Sequence, residues 1–109
     1  MSDAIQVVTT TAERADADRI ARALVEQRLA ACVQVSGPVT SSYWWNGKIE
    51  TSTEWLCTAK TINGLYTDVE QAIRVLHPYN EPEILATPVV GVSRSYLKWL
   101  NAEVRQLES

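Results

Sequence analysis

Apolar and polar positions recur along this chain with two different periods, and the switches between them mark out its elements. Ile5, Val7 and Val8 open a short strand that runs into Thr9, Thr10 and Thr11. Thr10 followed three residues later by Glu13 has the form of a capping box, in which hydroxyl and carboxylate satisfy exposed backbone N–H groups reciprocally. The spacing therefore predicts a helix starting there. Ile20, Leu24 and Leu29, with Ala17, Ala21 and Ala23 between them, form a broad apolar stripe, while Arg19, Arg22, Glu26, Gln27 and Arg28 supply a wet face. The element is an amphipathic helix with a small-residue contact surface.

From Ala31 the period becomes two. Val33, Val35, Val39, Ser41, Tyr43 and Trp45 share one alternation interrupted at Gly37-Pro38, and after Asn46-Gly47 it resumes through Ile49, Thr51, Thr53, Trp55, Cys57 and Ala59 to Lys60-Thr61. Asn-Gly between alternating runs predicts a tight hairpin, because both residues tolerate the positive φ of a type I′ turn. Leu65, Val69, Ala72, Ile73 and Leu76 then return to helical spacing until Pro78 stops them. Pro82 and Pro88 bracket Glu83 to Thr87, Val89-Val90-Gly91-Val92 completes a fourth apolar strand, and Ser93 or Ser95 caps a last helix carrying Tyr96, Trp99, Leu100, Val104 and Leu107. The order is βαββαβ plus a C-terminal helix. This is the split βαβ or ferredoxin-like arrangement of the α+β class, with both main helices on one face of an antiparallel sheet. The other face lacks a cover unless the last helix, through Tyr96 and Trp99, folds across part of it.

The hairpin has consequences of its own. A turn at Asn46-Gly47 sets Trp45 opposite Lys48, Tyr43 opposite Glu50 and Ser41 opposite Ser52, continuing back toward Cys32 and Thr61. Arms of about 14 residues at roughly 3.3 Å each reach about 45 Å, whereas a compact domain of this length has a radius of gyration near 13 Å, on the order set by chain length alone. Gly37-Pro38 absorbs some excess as a bend or bulge. The protruding tip still displays Tyr43, Trp44 and Trp45, with Trp55 farther along, and such a patch asks for a second copy of the chain. An uncovered sheet face and an overlong aromatic ribbon together predict closed cyclic assembly.

Composition narrows the classes. The 109 residues, 46% hydrophobic and 21% charged, suit a single domain spanning 1–109 with an ordinary core. Ten basic residues against thirteen acidic ones, the basic ones scattered singly, argue against nucleic acid as a partner. Met1 to Asp16 lacks the basic-then-apolar order of an export signal, and the apolar stretch Ile84 to Val92 is short and broken by Pro88, so no membrane role is expected. Two cysteines, Cys32 and Cys57, are too few for a disulfide framework, and reduced thiols in the cytoplasm are the expectation. Each also reads as a buried small hydrophobe.

Motifs with a defined mechanism are missing: there is no glycine-rich phosphate loop, G-x-S-x-G, H-E-x-x-H or C-x-x-C. A Cys–His nucleophile needs Cys32 or Cys57 beside the single histidine, His77. The expectation is a protein that is not an enzyme. In the hairpin register above, Cys32 faces Thr61 and Cys57 faces Ser36, about four residues or roughly 13 Å apart. One chain cannot join the two thiols in a disulfide or set both on one ion.

Ala30-Ala31-Cys32-Val33, Ser42-Tyr43-Trp44-Trp45-Asn46-Gly47-Lys48-Ile49, Glu54-Trp55 leading to Lys60-Thr61, and His77-Pro78-Tyr79 with Pro82-Glu83-Ile84 together resemble the CutA divalent-cation tolerance family over nearly the whole chain. The resemblance implies a ferredoxin-like subunit in a homotrimer similar in architecture to the PII signalling proteins. It also implies an association with tolerance of divalent metals, copper above all, without naming a reaction. The chain departs from the family pattern after His77-Pro78-Tyr79, where Asn80 stands at a commonly acidic position and Glu81 follows one place later.

The resemblance favours Cys32 and His77 as metal ligands, a thiolate and an imidazole that suit copper, with no metal required for folding. His77 has a second reading as a helix-terminal residue whose ring satisfies nearby carbonyls. The resemblance further implies an inter-subunit cleft holding Tyr43, Trp45, Glu54, Lys60, Tyr79 and Glu83, a mixed-charge pocket for a divalent metal ion or a small ligand. Against it stands a solvated row of ion pairs formed by Glu54 and Lys60, which share one strand parity. Two functions remain open, a trimeric metal- or ligand-binding protein and a non-catalytic structural or signalling trimer linked to metals only indirectly.

Overall fold

A computed structural model describes residues 2–107. Strand β1 (Ala4–Thr11) leads into helix α1 (Arg14–Glu26), then β2 (Cys32–Trp45) and β3 (Lys48–Ile62), a 3₁₀ turn at Asn63–Leu65, α2 (Tyr66–Leu76), β4 (Ile84–Pro88) and α3 (Arg94–Glu103). The four strands form one sheet in the order β2-β3-β1-β4, and β1 is antiparallel to both neighbours. This is the ferredoxin-like α+β topology expected from the periodicities.

One sheet face is dry. Ile5, Val7, Ala59 and Cys57 alternate onto it and pack with Ala17, Ile20 and Leu24 of α1 and Val69 and Ile73 of α2. Each of these side chains exposes 6% or less of its surface, so the two amphipathic stripes and the inward parity of the strands share a single core. Cys57 belongs to that core, and burial, with the charge of Asp18 second, pushes its thiol up to about 11. The opposite parity, which includes Gln6, Lys60, Cys32, Thr58 and Leu85, forms the second face. There α3 closes only one end, where Tyr96 and Leu100 meet Ala4, Gln6 and Lys60 around a hollow of about 220 Å³.

The hairpin forms as the Asn-Gly signal requires, with φ of 50° at Asn46 and 77° at Gly47. Trp45 pairs Lys48, Tyr43 pairs Glu50 and Ser41 pairs Ser52, but a bulge between Ser36 and Val39 moves the remainder by one place. Cys32 thus faces Lys60 and Cys57 faces Val35, instead of the predicted Thr61 and Ser36. Gly37 and Pro38 together oppose one residue of β3, and Gly37 takes φ +142°, a backbone shape L side chains rarely adopt. The ribbon sets the long dimension of a body measuring 45 × 26 × 23 Å.

Three other boundaries differ from expectation. Thr10 and Thr11 stay in β1, α1 begins at Arg14, and no side chain caps it. The Thr11 hydroxyl donates to the Glu13 carbonyl instead (2.8 Å), so strand pairing outcompetes the capping box. Val89 to Val92 lie outside β4, because the paired segment ends at Pro88 and only the Val89 N–H continues toward β1, donating to the Ala4 carbonyl. Leu29 is buried but lies past the end of α1, where Arg28 turns through φ 57°. Of the two candidate caps for α3, Ser93 is the one used, its Oγ accepting from the Tyr96 N–H at 3.2 Å.

A candidate ligand cleft

Beyond the bulge, β3 brings Glu54 opposite Val39 and leaves the residue only 8% exposed. The backbone of Gly37 lies close over this point: a Cβ there would stand 3.1 Å from both the Glu54 carbonyl oxygen and the Trp55 ring. Absence of a side chain at Gly37 therefore fixes how near the two arms approach at Glu54. Neighbouring Trp55 turns to the other face, where the Arg14 guanidinium lies 5.3 Å from its ring centroid.

The carboxylate is held by the segment between α2 and β4. Tyr79, three residues past the end of α2, donates its hydroxyl to Glu54 Oε2 at 2.9 Å. Burial first, then this bond and the negative charge of Glu54, pushes the Tyr79 phenol up to about 12. A buried histidine positions that tyrosine. His77 Nδ1 accepts from the Tyr79 backbone N–H at 3.1 Å, and Nε2 lies 2.7 Å from the Thr10 carbonyl oxygen. An N–H can only donate and a carbonyl can only accept, so both contacts are met by the neutral ring with its proton on Nε2. The Tyr79 ring also packs on His77 edge-on, with centroids 4.7 Å apart. Thr10, His77, Tyr79 and Glu54 form one continuous chain of contacts.

Above this chain opens a cleft of about 690 Å³ between the first hairpin arm and the segment after α2. Tyr43, Trp45, Glu54, Tyr79 and Glu83, all expected together, line it. So do Thr10, Ser41, Ser42, Asn80 and Glu81, none of them expected in the cleft from sequence. The alternation carries the signal for Ser41, which shares the parity of Tyr43 and Trp45, whereas Asn80 and Glu81 stand out in the sequence only as a departure from the family pattern. The lining includes three carboxylates and neither lysine nor arginine.

Lys60 does not line this cleft within one chain. It lies six residues along β3 from Glu54, roughly 20 Å, and borders the hollow beneath α3. The alternative of an ion-pair row also fails, since neither Glu54 nor Lys60 enters an ion pair among the described residues.

Cys32 and His77 are likewise kept apart within a chain. His77 bonds Thr10, which pairs Leu56, while Cys32 pairs Lys60, four residues farther along β3 or roughly 13 Å. Both His77 ring nitrogens are engaged inside its own chain, matching its reading as a satisfied helix-terminal residue. Cys32 is half-buried on the second sheet face. Among the described residues no three His, Cys, Asp or Glu side chains converge to hold a metal ion, and no helix is long and apolar enough to cross a membrane.

The profile of the CutA1 divalent ion tolerance protein family matches residues 5–103. Among curated proteins, the divalent-cation tolerance protein CutA of Thermus thermophilus is 40% identical over 94 residues, 86% of this chain and 91% of its own length. The chloroplastic protein CutA 1 of Oryza sativa is 33% identical over 94% of this chain, which spans 58% of that longer relative. The crystal structure of CutA from Xylella fastidiosa superposes with a TM-score of 0.92 at 36% identity, covering 95% of this chain and all of the other.

Proposed function

The chain belongs to the family of CutA1 divalent ion tolerance proteins, and from that premise we propose that it works in the cytoplasm as a non-catalytic homotrimer that takes up a divalent metal or a small ligand at clefts completed by neighbouring subunits. The observation that carries this reading is the hairpin tip. Trp44, Trp45 and Ile49 expose 72%, 58% and 66% of their surface beside an acidic cleft. Burying apolar surface yields roughly 25 cal/mol per Å², so three large side chains left in water are a strong incentive to associate. The number three is what the family resemblance implies.

Acidic oxygens suit divalent cations, and Cys32 offers the only half-exposed thiol, a soft ligand for copper. Because no three potential ligands converge within one described chain, a metal site draws on more than one subunit. The same observation supports a second reading, in which the trimer presents interaction surfaces and affects metal tolerance indirectly.

Titration calorimetry with Cu(II) and Zn(II) on the wild type, Cys32→Ala and Glu54→Gln separates the two. Stoichiometric binding weakened at least tenfold by either substitution, with assembly retained, supports the metal-binding reading. No binding, or binding that neither variant weakens, supports the second.

A further inference from the structure

We infer that the cleft above Glu54 is built for an organic ammonium ion, best a polyamine with methylenes between its charges, and not for a bare metal ion. The inference rests on the preceding reading of this cleft as a ligand site and specifies what enters it. Glu54 is more than nine-tenths buried, yet its own chain gives its charge no cation within ion-pair distance among the described residues. Its one side-chain partner is the Tyr79 hydroxyl on Oε2. A neutral donor leaves the negative charge uncompensated, and a buried carboxylate in that state favours an incoming cation.

The size and surface of the cleft select the kind of cation. A metal ion needs several oxygen, nitrogen or sulfur atoms converging on one point about 2–2.6 Å away, and the described residues of one chain do not by themselves supply that convergence in the cleft. The lining carboxylates come from two parts of the chain, Glu54 from β3 and Glu81 and Glu83 from the segment after α2, and among the described residues they do not gather round one point. Spread charges suit a ligand whose positive charges are also spread. Tyr43, Trp45 and Tyr79 share the lining, and aromatic rings attract weakly hydrated alkylammonium groups and cover methylenes. A volume of about 690 Å³ far exceeds one ion and matches a small organic molecule. Ser41, Ser42 and Asn80 add acceptors for ammonium N–H groups.

Spermidine serves as the probe, titrated calorimetrically into the intact protein in moderate salt, with tryptophan fluorescence as a second readout. Glu54→Gln and the exposed Glu83→Gln test the cleft, and Glu50→Gln, on the ribbon outside the lining, is the control for diffuse attraction to an acidic surface. Circular dichroism and sedimentation confirm that each variant stays folded and assembled. The expected result is saturable binding, weakened at least tenfold by Glu54→Gln, about threefold to tenfold by Glu83→Gln and less than twofold by Glu50→Gln. If Glu54→Gln does not fold, Glu83→Gln against Glu50→Gln decides alone. Absence of saturable binding, or equal weakening by cleft and control substitutions, overturns the inference. Failure with spermidine while Cu(II) or Zn(II) still binds sinks this inference alone, whereas failure with all three probes sinks the ligand-binding reading as well.

Discussion

Replacing His77 with alanine separates a structural histidine from a metal ligand. The substitution removes two hydrogen bonds, Nε2–H to the Thr10 carbonyl and the Tyr79 N–H to Nδ1, each worth about 1 kcal/mol net. Thr10 lies one residue beyond the last β1–β4 rung at Thr9 and Ile84, so its buried bond to the ring is not replaced by that strand. An unsatisfied buried carbonyl adds about 1 kcal/mol or more, and the lost edge-on contact with Tyr79 roughly 0.5–1. The total is about 3.5–4 kcal/mol, large for a domain of this size. Urea unfolding at one fixed protein concentration measures it, because assembly makes the midpoint concentration-dependent. His77→Gln, whose amide N–H can donate to Thr10, should recover part of the loss. A change below about 1 kcal/mol together with lost copper affinity would refute the reasoning and return His77 to the metal site.

The Tyr79 phenol should titrate near pH 12, later than its ordinary value of 10, followed by phenolate absorbance against Tyr79→Phe. Since the folded state holds this proton more tightly than the unfolded chain, its stabilising contribution is whole below pH 10 and is lost as pH rises toward 12; Glu54→Gln should move the titration back toward 10. Cys57, with its thiol pushed up to about 11, should resist alkylation at about pH 8 until the chain is unfolded, and two thiols reacting in the native protein would contradict that. Gly37→Ala forces a Cβ into 3.1 Å contacts at φ +142° and should cost about 1–3 kcal/mol in urea unfolding while disturbing Glu54; a neutral outcome would remove the bulge from the account.

Long, uninterrupted periodicities were the legible part of this sequence. The Asn46-Gly47 turn, the alternation through Tyr43 and Trp45 and the stripes of both core helices each follow from neighbours in the chain, and the fold was readable from them. Thr10-x-x-Glu13 misled because its cap competes with pairing to Leu56 of β3, which lies far away in sequence. The Gly37-Pro38 bulge was visible as a disturbance, but its one-place shift depends on how β3 packs beneath it, so Cys32 came out opposite the wrong residue. Five of the six expected cleft residues meet because β3 runs on past the end of β1, where the segment after α2 bonds Thr10 and Glu54. Lys60 and Glu54 have equal parity, and parity says nothing about a six-residue separation along a strand. From sequence His77 reads either as a ligand or as a structural residue, and only the fold, which brings Thr10 onto its ring from 67 residues away, distinguishes the two.

Sedimentation equilibrium over a wide dilution range, on the wild type and on a Trp44→Lys variant, addresses the ribbon most directly. The wild type should hold a mass of three 12.2 kDa chains down to high dilution, and the charged substitution at a 72% exposed position should leave the chain fold intact but weaken assembly. A wild-type chain that sediments as a folded 12.2 kDa monomer, its tryptophans freely quenched by solute, would contradict the claim that sister chains enclose the hairpin tip.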